Sequence, residues 1–310
     1  MNNTGMLKRV LEKGAFAVTA ECGPPKGSDP GVVLKKADML RGSIDAVNVT
    51  DNQTAIVRMS SLAACVLLKE AGLDPVLQMV MRDRNRIALQ SDVLGASALG
   101  INNILCLSGD HQSFGNQGQA LGVFDIDSTQ FIQVIRDMRD KGVILGGESL
   151  SEPVKAFIGA AANPFADPPE FRIVRLAKKI AAGADFIQTQ CIYNLERFER
   201  WFEMAKDRGL TEKVAILGGV TPLKSAGMAR YMKNRVAGMD IPDKIIRRMD
   251  GVPKDRQKEE GLKICVETIE RLKELEGVRG VHIMAIEWED IVGQIVERAG
   301  LLPRPACGKD

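Results

Sequence analysis

Short apolar runs rich in Val, Ile and Ala alternate with longer segments of helical spacing along the whole chain. This alternation predicts repeated βα units, because buried strands are short apolar runs and amphipathic helices repeat every three to four residues. There are about eight such runs, the number at which a parallel sheet closes into a barrel. We therefore predict a single-domain α/β protein, a (β/α)8 TIM barrel, over residues 1–310. The predicted strands span 15–22, 45–51, 75–82, 103–110, 155–163, 185–191, 214–222 and 280–288.

At least one helical segment follows each predicted strand. Asp167 before Pro168 and Pro169 is typical of a helix entry with proline in the first turn. The glycine-containing segment 111–127 lacks helical spacing, which predicts a long active-site loop after the fourth strand. The charged, proline-marked segment 240–256 predicts a helical insertion. The predicted helices span 30–41, 56–71, 84–99, 128–140, 168–183, 195–208, 225–235, 242–250, 254–276 and 289–299.

The charge balance and the absence of long apolar runs exclude several classes of protein. The chain has 42 basic and 40 acidic residues, with the two signs interspersed, so it lacks the electrostatic footprint of a nucleic-acid or anionic-membrane binder. It has no run of eighteen apolar residues that would span a membrane. Its N-terminal segment lacks the apolar stretch and cleavage site of a secretory signal. We therefore expect a cytoplasmic protein.

Cysteine and histidine usage argues against a metal centre. The six cysteines are spread singly without a C-x-x-C pair, which disfavours both a disulfide framework and a zinc finger. The chain has only two histidines, His111 and His282, so a histidine-rich metal site is excluded. We predict no metal site. The cysteines are Cys22, Cys65, Cys106, Cys191, Cys265 and Cys307.

Polar residues close all eight predicted strands. In a parallel α/β barrel the active site lies at the carboxyl ends of the strands, so this set contains the candidate functional residues. No G-x-G-x-x-G or G-x-x-x-x-G-K-[ST] motif follows a strand, and no strand ends in lysine, which disfavours dinucleotide-fold, P-loop and Schiff-base chemistry. The strand-end residues are Glu21, Thr50, Asp51, Gln78, Arg82, Ser108, Gly109, Asp110, Asn163, Gln190, Thr221, Glu287 and Trp288.

Glu21 stands out among them, because it lies between apolar neighbours and a rigid Gly-Pro-Pro turn in VTAECGPP. Partial desolvation would raise its pKa to the range that a general acid needs near neutral pH. The alternative is a carboxylate that caps a surface turn. Asp110, in the segment SGD, offers an acceptor-only carboxylate for a pair of N–H groups, or is a common turn residue. Lys178 and Lys179 are either a solvated helix face or partners of a phosphate.

Several motifs, in this order, give the chain its resemblance to a known family. VTAECGPPKG, AVNVTDN, QMVMRDRNR, ILCLSGDH, FIGAAANPFADP, AGADFIQTQ and LGGVTP together resemble the flavin-dependent 5,10-methylenetetrahydrofolate reductases. The resemblance covers nearly the whole chain. It implies a TIM barrel that binds FAD, with FMN as the alternative, and reduces 5,10-methylenetetrahydrofolate to 5-methyltetrahydrofolate in one-carbon metabolism.

The resemblance also implies roles for individual residues. Glu21 matches the acid of the family, Asp110 an aspartate beside the flavin that also contacts the pterin, and Gln190 a glutamine that holds the folate. Gln78 occupies the position of a histidine that is common at the exit of the third strand, where it would tune the flavin. The remaining positions that match the lining of the flavin site are Thr50, Ser108, Gly109, Asn163, Ala166, Lys178 and Lys179.

The chain departs from the family pattern at positions that concern the electron donor. Cys22 and Gly23 stand where aromatic residues are frequent, Ala226 where some members have a stacking phenylalanine, and Trp288 near a folate-contacting arginine. These changes leave NADH or a protein as the donor. In these positions the chain resembles a divergent subgroup of the family from anaerobes. Enzymes of that subgroup pair with a small metal-binding subunit, so the resemblance implies an oligomer.

Two other functions stay open from the sequence. The first is a non-catalytic flavin-carrying subunit of an electron-transfer complex, suggested by Ala226. The second is a pterin-dependent methyltransferase barrel without flavin, for which the sequence has no cobalamin or zinc motif.

Overall fold

The computed structural model describes residues 5–236 and 238–306, and Cys307 lies outside them. Eight parallel strands form one closed barrel in the order of the sequence, so the predicted (β/α)8 fold is confirmed. Each predicted strand overlaps an observed one. The strands are β1 Ala17–Cys22, β2 Ala46–Val49, β3 Pro75–Val80, β4 Asn103–Leu107, β5 Phe157–Ala162, β6 Phe186–Cys191, β7 Ala215–Val220 and β8 Val278–Ile283.

Helices surround the barrel, and each predicted helix overlaps an observed one. Proline occupies the first turn of the helix after Asp167, as predicted, and an Asp127–Gln130 capping box begins the helix after the 111–127 loop. The helices are α1 Met6–Glu12, α2 Pro30–Leu40, α3 Ser61–Glu70, α4 Arg86–Ala98, α5 Ser128–Asp140, α6 Pro169–Ala182, α7 Leu195–Lys206, α8 Ala226–Arg235, α9 Asp243–Asp250, α10 Gln257–Glu274 and α11 Val292–Arg298.

The structure corrects two predicted boundaries and adds one helix that was not predicted. Helix α3 begins at Ser61 rather than 56, because Ser60 caps it by accepting a hydrogen bond from the Ala63 amide. Strand β8 ends at Ile283 rather than 288, since the chain leaves the sheet there and Glu287 has a left-handed φ of 50°. The sequence reading missed α1, although its buried residues Leu7, Val10 and Leu11 follow helical spacing.

The two predicted insertions differ in structure. Residues 111–127 contain one 3₁₀ turn, Gln112–Phe114, and otherwise no regular element. This segment lies against the loop after β2, where Asn116 Oδ1 accepts from the Val57 amide at 3.1 Å. Residues 240–256 contain α9 and a second 3₁₀ turn, Lys254–Arg256.

Alternating side chains on each strand fill the barrel in layers. At its amino end the interior is apolar and is closed by Leu7, Val10 and Leu11 of α1. Phe186 is the largest buried side chain there. Its ring fits because the neighbouring residue is Gly159, which has no Cβ. A Cβ at that position would lie only 2.3 Å from the ring. The strand residues of this apolar layer are Ala17, Ala46, Val76, Leu105, Phe186 and Leu217.

Two residues further along the strands, the interior becomes polar. Gln188 Nε2 donates to Thr19 Oγ1 and to Asn48 Oδ1, both at 3.1 Å, and Asn48 Nδ2 donates to Gln188 Oε1 at 2.6 Å. Thr19 Oγ1 also lies 2.9 Å from His282 Nδ1. All four side chains are buried, and their mutual hydrogen bonds offset the loss of water. The next inward positions, Glu21 among them, therefore lie above a polar floor.

The C-terminal segment fastens the amino end of the barrel. Arg304 donates to both carboxylate oxygens of Asp45, which is buried and also accepts from the Val18 amide at 2.7 Å. Removing one partner of a buried ion pair leaves an uncompensated charge in a medium of low polarity.

We expect Arg304→Met to lower the free energy of unfolding by about 3 kcal/mol, because the Asp45 carboxylate loses its only cationic partner among the described residues. Urea denaturation measures the change. The control is Arg298→Met, whose ion pair with Glu259 is about half exposed and should contribute less than about 1 kcal/mol. Equal effects of the two substitutions would contradict the assignment.

Candidate active site

A cavity of about 500 Å³ opens at the carboxyl end of the barrel. Its lower wall is the polar floor, represented by Gln188 and His282. An adjoining cavity of about 300 Å³ shares Glu21, Gln78 and Ser108 with it. The combined volume is that of a site for a drug-sized or cofactor-sized molecule. Together the two cavities contain the following residues chosen from the sequence: Glu21, Thr50, Gln78, Ser108, Gly109, Asp110, Asn163, Lys179 and Gln190.

Two of the chosen residues do not reach these cavities. Lys178 lies on the exposed side of α6, because it is one residue, or about 100° of helix rotation, away from Lys179. Ala166 lies in the turn before α6 and lines neither cavity. The structure therefore does not bring Lys178 and Ala166 together with the other candidates.

Glu21 lies at the carboxyl end of β1 with its side chain in the wall of the large cavity. Gln53 Nε2 donates to its Oε1 at 3.3 Å. Burial raises the pKa of Glu21 from 4.5 to about 7, and the nearby Glu289 adds to the rise. The Gln53 hydrogen bond and the Lys36 charge oppose it. A carboxyl group with this pKa is partly protonated at neutral pH and can donate a proton.

Asp110 lies in a tightly constrained turn after β4. Its Oδ2 accepts from the Thr54 amide at 3.0 Å, and its backbone carbonyl accepts from Arg82 Nη1 at 3.0 Å. Gly109 has a φ of 86°, and a Cβ there would lie 3.1 Å from Val80 and 3.2 Å from Arg82. The turn thus requires glycine and holds the Asp110 carboxylate at the rim, with an oxygen free for a second donor.

Thr50 and Gln190 occupy the ends of β2 and β6. The Thr50 hydroxyl is buried in the wall of the smaller cavity and has no hydrogen-bond partner within the described part of the chain. Buried polar groups without partners are rare and commonly mark ligand contacts. Gln190 Oε1 accepts from the Cys191 amide at 3.1 Å, which fixes the side chain and leaves its NH₂ group as a donor.

A basic face of α6 forms one side of the large cavity, and the sequence reading found only one of its members. Arg172, Arg175 and Lys179 all line the cavity. Spacings of three and four residues place them on one helix face, and this pattern in the sequence would have identified them. Arg172 Nε is buried without a partner in the described residues. Burial, and then the charge of Arg175, lower the pKa of Lys179 from 10.5 to about 8.

The departures from the family pattern that concern the electron donor lie outside the large cavity, whereas Gln78 lines it. Cys22, the last residue of β1, is buried in the hydrophobic core. Ala226 is buried at the start of α8, where its amide donates to Gln257 Oε1 at 3.0 Å. Trp288 lies between the ammonium groups of Lys224 and Lys258, which are 6.0 and 5.8 Å from the ring centroid. Among the described residues, the wall of the large cavity contains no Phe, Tyr or Trp.

The five cysteines in the described ranges are buried, and none of them forms a disulfide. Burial raises the pKa of the Cys22 thiol to about 12, and that of Cys191 likewise, so neither is a thiolate near neutral pH. Within residues 5–236 and 238–306 no group of three or more His, Cys, Asp or Glu side chains is arranged to hold a metal ion. No helix in the same ranges has the length and apolarity to cross a membrane.

Comparison with known proteins identifies the family. The sequence profile of the methylenetetrahydrofolate reductases matches residues 6–300. The chain belongs to the methylenetetrahydrofolate reductase family. A probable methylenetetrahydrofolate reductase (NADPH) of Caenorhabditis elegans is 25% identical over 253 residues, which is 79% of this chain and 35% of the relative. Methylenetetrahydrofolate reductase 2 of Schizosaccharomyces pombe is 24% identical and is covered over 33% of its length. This chain thus spans about a third of these relatives.

Solved structures of low sequence identity share the barrel fold. One is an uncharacterized protein from Clostridium thermocellum that binds two copies of 5-methyl-5,6,7,8-tetrahydrofolic acid. It has a TM-score of 0.64 and 15% identity, over 95% of this chain and 97% of that protein. A 2,3-dimethylmalate lyase has a TM-score of 0.50 and 14% identity, over 97% and 89% of the two chains. These likenesses show the fold.

The raised pKa of Glu21 makes the stability of the protein depend on pH. The folded state binds this proton more tightly than the unfolded chain, so the contribution to stability is full below pH 4.5 and is lost as the pH rises to about 7. Relative to Glu21→Gln, we expect wild type to lose about 2 kcal/mol across this window. Urea denaturation at a series of pH values measures the difference.

Glu152→Gln, a Glu-to-Gln change at an exposed position, is the matched control. A constant stability difference between wild type and Glu21→Gln from pH 4.5 to 7 would show that Glu21 has an ordinary pKa in the folded protein.

Proposed function

We propose that this chain catalyses the flavin-dependent reduction of 5,10-methylenetetrahydrofolate to 5-methyltetrahydrofolate. The observation that carries the proposal is the Glu21 carboxyl, with a pKa of about 7, in the wall of a 500 Å³ cavity at the carboxyl end of the barrel. Membership of the reductase family supports it, and so does the methyltetrahydrofolate bound by the Clostridium thermocellum protein of the same fold.

The residues of the site fit a flavin. The unpartnered Thr50 hydroxyl offers a hydrogen bond, and Gln78, Ser108, Gly109 and Asn163 line the same space. Arg172, Arg175 and Lys179 supply positive charge for phosphate groups at the α6 side. Three cations suit the diphosphate of FAD better than the single phosphate of FMN, so we propose FAD as the cofactor.

The residues of this chain contribute acid catalysis and positioning to the reaction. When bound, flavin supplies the hydride chemistry. Glu21 donates a proton to the ring nitrogen of the substrate, which opens the five-membered ring and leaves a cationic one-carbon group that can accept hydride. The Asp110 carboxylate accepts N–H groups of the pterin, and the Gln190 NH₂ group holds the folate. These contacts fix which face of the pterin is presented for reaction.

For the electron donor we propose a protein rather than NADH. The wall of the large cavity has no aromatic ring within the described residues, and Cys22 and Ala226 are buried elsewhere. Stacking on an aromatic ring contributes about 0.5–1.5 kcal/mol, which a nicotinamide would lack here. A small metal-binding subunit in a cytoplasmic hetero-oligomer, as in the subgroup that the sequence resembles, fits this role.

We expect the double substitution of Arg172 and Lys179 by Gln to weaken FAD binding by about tenfold to a hundredfold, since hydrogen bonds to charged groups contribute about 1.5–3 kcal/mol. Riboflavin, which has no phosphate, should bind both proteins alike. Fluorescence titration of the apoprotein with FAD, FMN and riboflavin measures the three affinities.

Lys178→Gln is the control, because Lys178 lies on the exposed side of the same helix and should not affect any of the three. An equal loss for riboflavin and FAD would remove the phosphate role of the α6 face. A folded protein that binds no flavin at all would refute the flavin proposal.

We expect Glu21→Gln to bind and retain flavin while reducing methylenetetrahydrofolate about 10²- to 10⁴-fold more slowly, the usual contribution of a positioned acid. Anaerobic mixing of the reduced flavoprotein with methylenetetrahydrofolate, followed by product analysis, measures the rate. Normal turnover in this variant would assign the acid to another group.

The same measurement separates the other two functions. A flavin carrier would be reduced and reoxidised by its partners but would form no 5-methyltetrahydrofolate in either protein. A methyltransferase barrel would bind a pterin but would not need flavin.

A further inference from the structure

A third cavity, smaller than the two described above, also adjoins Glu21. It has a volume of about 200 Å³, and we call it the rear cavity. Among the described residues, Glu21 alone lines both the large cavity and the rear cavity. Glu21, near the end of β1, is therefore the residue at which the two spaces meet. The residues that line the rear cavity include Glu21, Val32, Lys36, Gln53, Arg58 and Glu289.

The rear cavity suits water better than an organic ligand. Ligand sites generally occupy about 300–1,000 Å³, whereas a buried water needs only about 30 Å³ and two to four polar partners. Lys36, Gln53, Arg58 and Glu289 provide such partners around the space. A folate or flavin thus enters the large cavity, and several waters fit behind Glu21.

Two cations fasten the turn that follows Glu21 to this cavity. Lys36 Nζ, from α2, donates to the Gly23 carbonyl at 3.0 Å and also to Glu289 Oε1. Arg58 Nη1 donates to the Pro24 carbonyl at 3.1 Å. Glu289 is buried, so its pairing with Lys36 is shielded from solvent screening. The position of Glu21 between the two cavities is therefore held from α2 and from the segment after β8.

The reaction proposed above requires a supply of protons to Glu21. Each reduction adds one hydride and one proton to the substrate, and Glu21 is left as a carboxylate. With flavin and folate in the large cavity, water is excluded from that side. We propose that the rear cavity is the proton route of Glu21, in which waters held by the Lys36–Glu289 pair return one proton from solvent to the carboxylate after each turnover. This inference rests on the proposed function.

The charged groups around the route come from several elements. In the rear cavity these are Lys36 of α2, Arg58 of the loop after β2, and Glu287 and Glu289 after β8. The adjoining 300 Å³ cavity adds Asp51, Arg82 and Asp110. Lys36 and Glu289 touch neither cavity used by the substrate, so they act as positioning residues.

The proposal is tested with a substitution that narrows the rear cavity and leaves Glu21 unchanged. Val32 lines the rear cavity on α2 and is 37% exposed, so Val32→Phe adds bulk at its opening without disturbing the core. Leu34→Phe is the matched control, since Leu34 is 40% exposed on the same helix and lines no part of the route. The flavin-loaded protein is reduced anaerobically and mixed with methylenetetrahydrofolate in a rapid-quench assay of the first turnover. In the steady-state assay, excess reduced methyl viologen re-reduces the flavin after each turnover.

We expect the first turnover of Val32→Phe to match wild type within about twofold, because Glu21 already carries its proton, whereas steady-state turnover falls about tenfold. A small acid such as formic acid, added at increasing concentration, should restore the steady-state rate. Leu34→Phe should match wild type in both. An unchanged steady-state rate in Val32→Phe, or equal slowing of the first and later turnovers, would overturn the proton route.

Two measurements do not depend on turnover. A high-resolution crystal structure of the ligand-free protein should show ordered water between Glu21 and Lys36, and a dry rear cavity would overturn the proposal. Carbon-13 NMR titration, assigned with Glu21→Gln, should show a lower Glu21 pKa in Glu289→Gln and a higher one in Lys36→Met. If the Lys36–Glu289 pair had only a structural role, these substitutions would change the thermal stability but not the pKa of Glu21.

These measurements also separate the two proposals. If wild type forms no 5-methyltetrahydrofolate, the proposed function fails, whatever the rear cavity holds. If wild type turns over normally and Val32→Phe does the same, only the proton route fails.

Discussion

The hydrogen-bonded layer inside the barrel is the constraint on which the site depends. Thr19, Asn48, Gln188 and His282 come from four different strands, and each finds its partner within the set. Inside a closed barrel water cannot replace a missing partner, so the strands must keep the register that brings these groups together. Below this layer the interior is apolar and filled. Above this layer, the next inward-facing residues of the strands line an open space, which is the large cavity.

Glu21 shows how this layering raises the pKa of a carboxyl group at the expense of stability. It is the next inward residue of β1 after Thr19, so its carboxyl lies at the boundary between the polar floor and the cavity. Burial that raises its pKa to about 7 also destabilises the ionised form of the folded protein. A more stable arrangement would leave Glu21 in water with an ordinary pKa, and it would then be a poor proton donor near neutral pH.

The sequence contains the barrel and most of the strand-end site, because both follow from local periodicity. Apolar runs mark the strands, and the first polar residues after them lie at the carboxyl edge whatever the helices do. The sequence alone could not show that Lys179 rather than Lys178 lines the cavity, since that depends on how α6 is rotated against the barrel. Nor could it show that Lys36 and Glu289 meet, because 253 residues separate them and only barrel closure joins β1 to β8. The rear cavity is a product of that closure.

The near-neutral charge of the chain conceals a strongly polarised site. Arg172, Arg175 and Lys179 lie on the α6 side of the large cavity, whereas Glu21 and Asp110 lie at the ends of β1 and β4. A ligand with phosphates at one end and a basic or N–H-rich ring at the other would be oriented by this arrangement before any specific contact forms. The net charge of the whole chain is only +2, so it does not reveal this separation of positive and negative groups within the site. What selects the orientation is the placement of each charge on a particular strand end or helix face, and only the folded barrel determines that placement.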